Sequence, residues 1–221
     1  PIITYEEDSI YLTTTNAVAD MINRKIVFKQ EKEVFEVRSV LSKEGDSKIA
    51  SNLLSKHRIP ETVFFSKGSP VMFYRNDKDM HWTNGTMGEV VGIRRKADEV
   101  ISVDIKLSNG EIIEVLKQNF PIEQRNEDGE YQVIDHAVQF PFKIAYAITI
   151  HKSQGMTFDK KMKIVLGNYV SPNLLYVALS RATKLENIYI EGRRITTASL
   201  KMRDSLNEYS VKHRWNMQIV K

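Results

Sequence analysis

The sequence contains no cysteine, and its five histidines are scattered. Without cysteine, the chain can form neither a disulfide scaffold nor a cysteine-ligated zinc site. The histidines are too far apart in the sequence to place two ligands on one helical turn. We therefore expect no protein-bound metal.

Long apolar runs are also absent. The longest nearly unbroken run, Ile144 to Ile150, is far short of the roughly 20 residues that cross a bilayer. Residues 1 to 8 carry acids rather than the basic head of a signal peptide. These absences predict a soluble, cytoplasmic protein with no membrane partner.

Basic and acidic side chains are nearly balanced. The 32 basic and 28 acidic side chains give a net charge of +4, which permits a polyanionic partner without requiring one. Hydrophobic residues make up 42% and charged residues 27%, as in folded globular chains. The 221 residues are enough for one large domain or for one domain carrying a smaller one.

The first part of the chain alternates between strand and helix patterns. Ser9 to Thr15 predicts a strand, and Asn16 is a candidate cap for the helix that follows. The apolar stripe of that helix consists of Ala17, Val18, Met21 and Ile22. A second strand is predicted from Val34 to Leu41, whereas Ser42 to Pro60 is polar and indicates a loop-rich stretch.

A period of two residues dominates the middle of the chain. Apolar and polar residues alternate from Ile101 to Leu107 and again from Ile112 to Leu116, and Asn109-Gly110 between them is a strong hairpin signal. Further strands are predicted before and after this pair. The pattern predicts a five-stranded, SH3-like β-barrel with limits at Thr86 and Ala137.

A helix-and-buried-strand pattern returns after this β segment. Ile144 to Ile150 and Met162 to Leu166 predict parallel strands buried on both faces, the first of them central. Ser171-Pro172 indicates a helix start, Asn187 to Ile190 a further strand, and the tail from Thr197 a helix. The predicted fold class is α/β with a parallel sheet, in which 1–85 and 138–221 form one domain interrupted by the insert 86–137.

The segment His151 to Gly155 directly follows a predicted buried strand. Ligands of open α/β sheets bind beyond the carboxyl ends of the strands. An imidazole, an ammonium, a hydroxyl and an amide can all donate hydrogen bonds to a phosphate backbone, and glycine permits close approach. An ordinary polar loop is the alternative interpretation.

Arg181 is the second candidate. Helical spacing places it at the edge of an apolar stripe that includes Leu174 and Ala178. Burying an unpaired guanidinium is costly, so a carboxylate or phosphate partner is expected. A structural ion pair and a nucleotide contact both satisfy this expectation.

Four regions of the sequence together resemble a known family. TIHKSQGMTFD (149 to 159) and LLYVALSRATKLENIYIEG (174 to 192) resemble motifs V and VI of superfamily-1 helicases of the RecD-like and PIF-like branch. LTTTNAVADMIN (12 to 23) is similar to their motif IV region. Asn76-Asp77, Trp82 and the run 84–88 look like the start of the SH3-like barrel that this branch inserts before motif V.

The resemblance implies a second RecA-like motor domain and roles for five residues. Arg181 matches the arginine that reaches the γ-phosphate of ATP, and Gly155 lies in a turn near the nucleotide. His151 and Ser153 match positions that face single-stranded DNA, with Asn16 a weaker candidate. The alternate residues of the loop, Lys152 and Gln154, are expected to point elsewhere.

The resemblance also implies cofactors, partners and an activity. They are ATP with Mg²⁺, single-stranded and forked DNA, and 5′ to 3′ unwinding by a bacterial enzyme. No glycine is followed by lysine, so the phosphate-binding loop Gly-x-x-x-x-Gly-Lys-Ser/Thr is absent. We expect the chain to be the C-terminal part of a longer polypeptide, paired with an N-terminal motor domain and inactive alone. A non-catalytic nucleic-acid or protein adaptor derived from a helicase is the alternative.

Overall fold

The computed structural model describes residues 5–42, 47–166 and 172–192. These residues divide into two compact units. The first contains Asp8–Ala19 and the described residues from Ile148 onward, and the second contains Tyr5–Glu7 and Asp20–Ala147. The chain therefore passes between the units more than once.

Strands outnumber helices among the described residues. The strands are β1 (Ile10–Thr13), β2 (Phe35–Arg38), β3 (Val40–Leu41), β4 (Thr62–Phe65), β5 (Pro70–Phe73), β6 (Met87–Lys96), β7 (Glu99–Leu107), β8 (Ile112–Leu116), β9 (Gln118–Arg125), β10 (Tyr131–Gln139), β11 (Phe142–Ile144), β12 (Ala147–Thr149), β13 (Met162–Leu166) and β14 (Ile188–Gly192). The α-helices are α1 (Asn16–Lys29), α2 (Ser47–Lys56) and α3 (Pro172–Leu179), and short 3₁₀-helices occupy Ile150–Ser153 and Leu185–Asn187.

A sheet in the order β12, β1, β13, β14 forms the centre of the first unit. β1 and β14 both pair in parallel with β13, so that Met162 lies between Ile10 and Ile188. All residues of β1 and β13 are buried. The prediction of a buried parallel strand at Met162–Leu166 is therefore confirmed.

The apolar run Ile144–Ile150 differs from its prediction as one central strand. Ala145 and Tyr146 interrupt it, so that β11 ends before them and β12 begins after them. β11 pairs antiparallel with β5, and β12 lies at the edge of the parallel sheet. The whole run is nevertheless buried, which is why its composition is that of a central strand.

Asn23 of α1 holds the chain where this run is interrupted. Its amide nitrogen donates to the carbonyls of Ile144 (3.2 Å) and Ala147 (2.8 Å), and its oxygen accepts from the N–H of Ala147 (2.7 Å). Buried backbone groups need such partners. One buried side chain thus satisfies the backbone between β11 and β12.

Helix α1 forms where it is predicted, with a different cap and a rotated buried face. Its first turn is capped by Thr15, whose hydroxyl accepts from the N–H of Val18 (3.4 Å), and not by Asn16. Met21 of the predicted stripe is 42% exposed. The buried face consists of Ala19, Ile22, Asn23, Ile26 and Val27, and Gln30 just after the helix is buried as well.

The prediction of a loop-rich stretch from Ser42 to Pro60 is wrong, because α2 lies within it. Leu54 is buried in a cluster with Ile59 and residues of β9 and β10, whereas Ile49 is 60% exposed. The helix is short, and its apolar residues Ile49, Ala50, Leu53 and Leu54 do recur at helical spacing within the polar stretch.

The second unit is built mainly of antiparallel strands. One sheet has the order β11, β5, β6, β7, β8, a second β3, β10, β9, and a third pairs β2 with β4. The predicted hairpin at Asn109-Gly110 joins β7 to β8, with Gly110 at a φ of +89° that favours glycine. Phe65, Phe73 and Phe142 pack edge to face in its core.

The strands of the predicted insert 86–137 also pair with strands outside it. β6 pairs with β5, and β10 pairs with β3. The sheets therefore continue across both predicted limits, and the division into compact units does not follow them. The SH3-like insert remains a prediction.

Within the described residues, no helix is both long enough and apolar enough to span a membrane. Ser171 and the tail from Thr197 lie outside the described residues.

Candidate functional site

Asn16 and His151 lie at the same edge of the parallel sheet. Thr13, at the end of β1, has its hydroxyl 3.5 Å from the carbonyl of Ile148 in β12, so these two strands end side by side. Asn16 and His151 follow the two strand ends, and both side chains are exposed. The carboxyl edge of a parallel sheet is where ligands bind in open α/β folds. The structure therefore brings two of the predicted residues to a suitable edge.

Ser153 does not face solvent in this loop. It is fully buried, and its hydroxyl donates to the carbonyl of Ile150 (2.8 Å). The expectation that alternate residues face a DNA strand assumed an extended loop. Ile150–Ser153 is instead a 3₁₀-helix, in which side chains do not alternate between two faces. The hydroxyl of Ser153 holds the loop in shape.

Gly155 makes the turn that ends the loop. Its φ of +82° lies in the left-handed region, which other residues rarely adopt. Among the described residues, no atom beyond its chain neighbours would come within 4 Å of an added Cβ. The turn therefore requires glycine for its positive φ, and not because a larger side chain would clash with neighbouring atoms. After it, the N–H of Met156 donates to the carbonyl of Ser153 (3.0 Å).

Arg181 lies just beyond the end of α3, and its side chain is held by neutral acceptors. Nε donates to the carbonyl of Val177 (3.0 Å), Nη1 to the carbonyl of Met156 (3.1 Å) and Nη2 to the hydroxyl of Ser180 (2.9 Å). These partners are two carbonyls and a hydroxyl, so the contacts do not neutralise the guanidinium charge. They do not form the ion pair that was the alternative interpretation.

Backbone bonds join the segment after Gly155 to the segment after α3. The N–H of Phe158 donates to the carbonyl of Arg181 (2.8 Å), and the N–H of Thr183 donates to the carbonyl of Phe158 (3.1 Å). The hydroxyl of Thr183 also donates to Asp159 (2.6 Å). The carbonyl of Met156, which accepts from Arg181, is a further contact between the two segments. The residue types in the sequence could not reveal this contact, because any residue can supply a backbone carbonyl.

Arg94, Arg95 and Lys96 form a basic run at the end of β6, and such a run can contact a nucleic-acid strand or simply be solvated. Arg94 contacts Asp104 (3.2 Å) and Glu114, and Arg95 contacts Glu33 (2.8 Å). Hydrogen bonds from Ser102 and Arg94 hold the pKa of Glu114 below its usual value. Acidic neighbours thus offset both arginines, which does not favour a phosphate contact.

Asp77, Asp79 and His81 lie close enough together to be potential metal ligands, which the spacing of the histidines in the sequence did not indicate. Their potential ligand atoms lie within 4.8 Å of one another. His81 Nδ1 is 2.8 Å from Asp77 Oδ2, and this hydrogen bond raises the pKa of His81. Burial acts to raise the pKa of Asp77, but hydrogen bonds from His81 hold it below its usual value. The hydrogen bond accounts for the closeness of Asp77 and His81.

Known proteins match this chain over most of its length, although no family model matches it. The ATP-dependent DNA helicase Pif1 of Bdellovibrio bacteriovorus is 34% identical over 169 residues, which are 76% of this chain and 36% of that protein. The Campylobacter jejuni protein of the same name is 31% identical over 192 residues, which are 84% of this chain and 42% of that protein. The chain thus spans less than half the length of these relatives.

Solved structures share the fold. The crystal structure of Bacteroides Pif1 bound to ssDNA has a TM-score of 0.76 and 27% identity, with coverage of 97% of this chain and 47% of that chain. The fold is therefore that of a mixed α/β helicase domain with a parallel sheet. The chain is homologous to the Pif1 family of superfamily-1 helicases over most of its length, which confirms the resemblance of its motifs.

Proposed function

We propose that the chain is the C-terminal portion of an ATP-dependent DNA helicase that moves 5′ to 3′ on single-stranded DNA and unwinds forked duplex. Its relatives are named ATP-dependent DNA helicases. The crystal structure of a Bacteroides relative contains ADP-AlF3 and ssDNA. A second related structure concerns DNA unwinding at forked dsDNA by two Pif1 helicases. In this proposal the parallel sheet belongs to the second RecA-like motor domain.

One observation carries the proposal most directly. Arg181 lies within hydrogen-bonding distance of the loop that holds His151 and Gly155, through its 3.1 Å bond to Met156. A guanidinium with no carboxylate among these partners suits the charge on a terminal phosphate. In the proposed roles, Arg181 stabilises that phosphate and Gly155 allows close approach of the nucleotide.

The proposed DNA contacts lie at the same edge of the sheet. His151 and Asn16 are exposed there and can donate hydrogen bonds to backbone phosphates. Binding through backbone contacts would be largely independent of base sequence and would weaken as salt increases. For Ser153, the bond to Ile150 supports a positioning role within the loop.

The chain would need an upstream motor domain for catalysis. The sequence lacks the phosphate-binding loop, whose lysine and hydroxyl hold the phosphates and Mg²⁺ in such enzymes. ATP and Mg²⁺ would therefore bind together with an N-terminal domain of the same longer polypeptide. The chain alone is expected to hydrolyse no ATP.

The division of labour within the chain is also a proposal. Residues 1–85 and 138–221 would form the motor domain, and 86–137 an SH3-like insert that contacts DNA. Antiparallel strands β6 to β10 support a β-rich insert, while their pairing with β3 and β5 argues against an independent one. Limited proteolysis tests the limits, since an independent insert would be released intact by cuts near 86 and 137.

Replacing Arg181 with Ala in the longer polypeptide tests the catalytic role. Turnover of ATP is expected to fall by about 10³ to 10⁵, the range for lost arginine fingers, while single-strand binding without nucleotide persists. The matched control is Arg125→Ala, since Arg125 is exposed on β9 and is not in the site. Near-normal ATPase in Arg181→Ala would contradict the role.

A different experimental result would support the adaptor alternative. The absence of a phosphate-binding loop in this sequence is common to the adaptor and to the C-terminal part of a helicase. An upstream coding region without such a loop, together with single-strand binding but no ATPase in the purified protein, would support the adaptor. A loop found upstream together with DNA-stimulated ATPase would support the helicase.

A further inference from the structure

Strand β8 lies at an edge of the five-stranded sheet and pairs there with β7. The hydrogen bonds of an antiparallel pair alternate, and the closing bond of this hairpin runs from the N–H of Leu107 to the carbonyl of Glu111 (2.8 Å). Every second residue from Glu111 therefore faces β7 with its backbone. The residues between them, Ile112, Glu114 and Leu116, direct their N–H and C=O groups to the open edge. In the part of the chain that the structure describes, these outward groups have no hydrogen-bond partner.

The edge at β8 lacks the features that usually prevent a strand from pairing with another chain. Such features include lysine, proline and bulges. β8 contains neither lysine nor proline, and its register with β7 is regular. Its outer side chains Ile112 and Leu116 are 60% and 56% exposed. The edge strand β9, by contrast, contains Pro121 and ends in the polar run 123–125. β8 is therefore open to a partner strand, whereas β9 is protected.

The sequence of this edge is complementary to itself. Residues 111–117 read Glu-Ile-Ile-Glu-Val-Leu-Lys. When two copies pair antiparallel with Glu114 opposite itself, the other positions match by charge or by apolar character. The opposite pairs are Glu111 with Lys117, Ile112 with Leu116, and Ile113 with Val115. Opposite charges and aliphatic pairs across strands both stabilise a sheet. The same register places the outward backbone groups of the two copies opposite one another.

Glu114 is the position in this register at which like charges meet. Its carboxylate is contacted by Arg94 and accepts a hydrogen bond from Ser102 (2.7 Å). Arg94 also contacts Asp104 (3.2 Å). Each Glu114 therefore meets its counterpart with an arginine beside it, which reduces the repulsion between the two carboxylates.

We propose that β8 is a docking edge for β8 of a second copy of this chain, in the antiparallel register that places Glu114 opposite itself. The interface is isologous, because the same strand contributes to both sides of a two-fold axis. The two five-stranded sheets then continue into one another through backbone hydrogen bonds. The inference goes beyond the proposed function, since it involves neither the nucleotide nor the residues of the candidate site.

Sedimentation velocity of the longer polypeptide, without DNA or nucleotide, tests the proposal. One edge strand buries little surface, so a weak dimer is expected and the measurement covers about 1 µM to 1 mM protein. The sedimentation coefficient should rise from that of a monomer to that of a dimer with concentration. A monomer over the whole range would overturn the proposal, and is the result expected if upstream residues of the same polypeptide or another protein occupy the edge.

Charge variants at Ile112 and Leu116 test the register. Ile112→Lys combined with Leu116→Lys places lysines opposite each other and should raise the dissociation constant at least about 10-fold. Ile112→Lys combined with Leu116→Glu places a lysine opposite a glutamate and should restore the dimer, which excludes unfolding as the cause of the first result. Ile49→Lys is the matched control, because Ile49 of α2 is also 60% exposed. Equal dissociation constants in the two double variants would overturn the pairing.

Cross-linking measures the register directly, because the chain contains no cysteine of its own. Opposite residues of a hydrogen-bonded antiparallel pair have Cα atoms about 5.5 Å apart, which a disulfide can bridge. Mild oxidation of Glu114→Cys should therefore join two copies. Ile112→Cys should cross-link far more slowly, since the two copies of residue 112 would lie about 13 Å apart along the strands. Equal rates for the two variants would overturn the register.

Discussion

Replacing Asn23 with Leu is expected to destabilise the protein strongly, although the two side chains are similar in size. Asn23 is 7% exposed and makes hydrogen bonds of 3.2, 2.8 and 2.7 Å to the backbone of Ile144 and Ala147. Leucine would leave two carbonyls and one N–H without these partners. At roughly 1 to 3 kcal/mol for each of the three buried unsatisfied groups, the expected loss is about 3 to 9 kcal/mol. That is a large part of the roughly 5 to 15 kcal/mol that stabilises a typical domain.

Urea unfolding, followed by circular dichroism, measures this loss. With a slope of about 1 to 3 kcal/mol per molar urea, the midpoint should fall by at least about 1 M. Asn52→Leu is the matched control, because Asn52 is an exposed asparagine of α2 and its change should stay within about 0.5 kcal/mol. A loss below about 1 kcal/mol for Asn23→Leu would refute the reasoning, since it would mean that the backbone finds other partners.

Three further predictions concern single residues. In the longer polypeptide, His151→Ala should weaken single-strand binding by about 1.5 to 3 kcal/mol, the range for a hydrogen bond to a charged group, and unchanged fluorescence anisotropy would remove His151 from the site. The pKa of His81 should lie above its usual 6.5 because of its hydrogen bond to Asp77, so the pair stabilises the fold while Asp77 is ionised and His81 is protonated. This effect is lost as pH rises through the raised pKa of His81 and as pH falls through the lowered pKa of Asp77. An NMR titration checks this, and Asp77→Asn should return the pKa toward 6.5. Gly88→Ala would press a Cβ against Ile105 and should cost about 1 to 3 kcal/mol, which an unchanged urea midpoint would contradict.

Elements with a strong local signal could be predicted from the sequence. The hairpin at Asn109-Gly110 follows from a turn that needs a positive φ, and the strand Met162–Leu166 from a run buried on both faces. α2 was missed although Ile49, Ala50, Leu53 and Leu54 recur at helical spacing, because the charged and turn-forming residues around this short stripe dominate the composition of the stretch. The break after Ile144 depends on a distant asparagine, which composition cannot show.

The candidate site was predictable in its parts but not in its connections. The motifs identified the loop 151–155 and Arg181, and the structure brings both to one junction. The burial of Ser153 was not predicted, because alternate side chains of an extended segment were expected to face the same way. The segment is a 3₁₀-helix, in which side chains do not alternate between two faces. The partner of Arg181 was missed as well, because a backbone carbonyl leaves no trace in the residue types of a motif.

The pairing of β1 with β13 sets a constraint on synthesis. Ile10 pairs with Met162, 152 residues later in the chain. At about 5 to 20 residues per second, a ribosome needs roughly 8 to 30 s to make that partner. Asp20–Ala147 is continuous and can collapse first, while the β13 side of β1 stays without its partner on the nascent chain. A stalled or truncated product that ends before Met162 would expose a strand edge without its partner, which is a setting for aggregation.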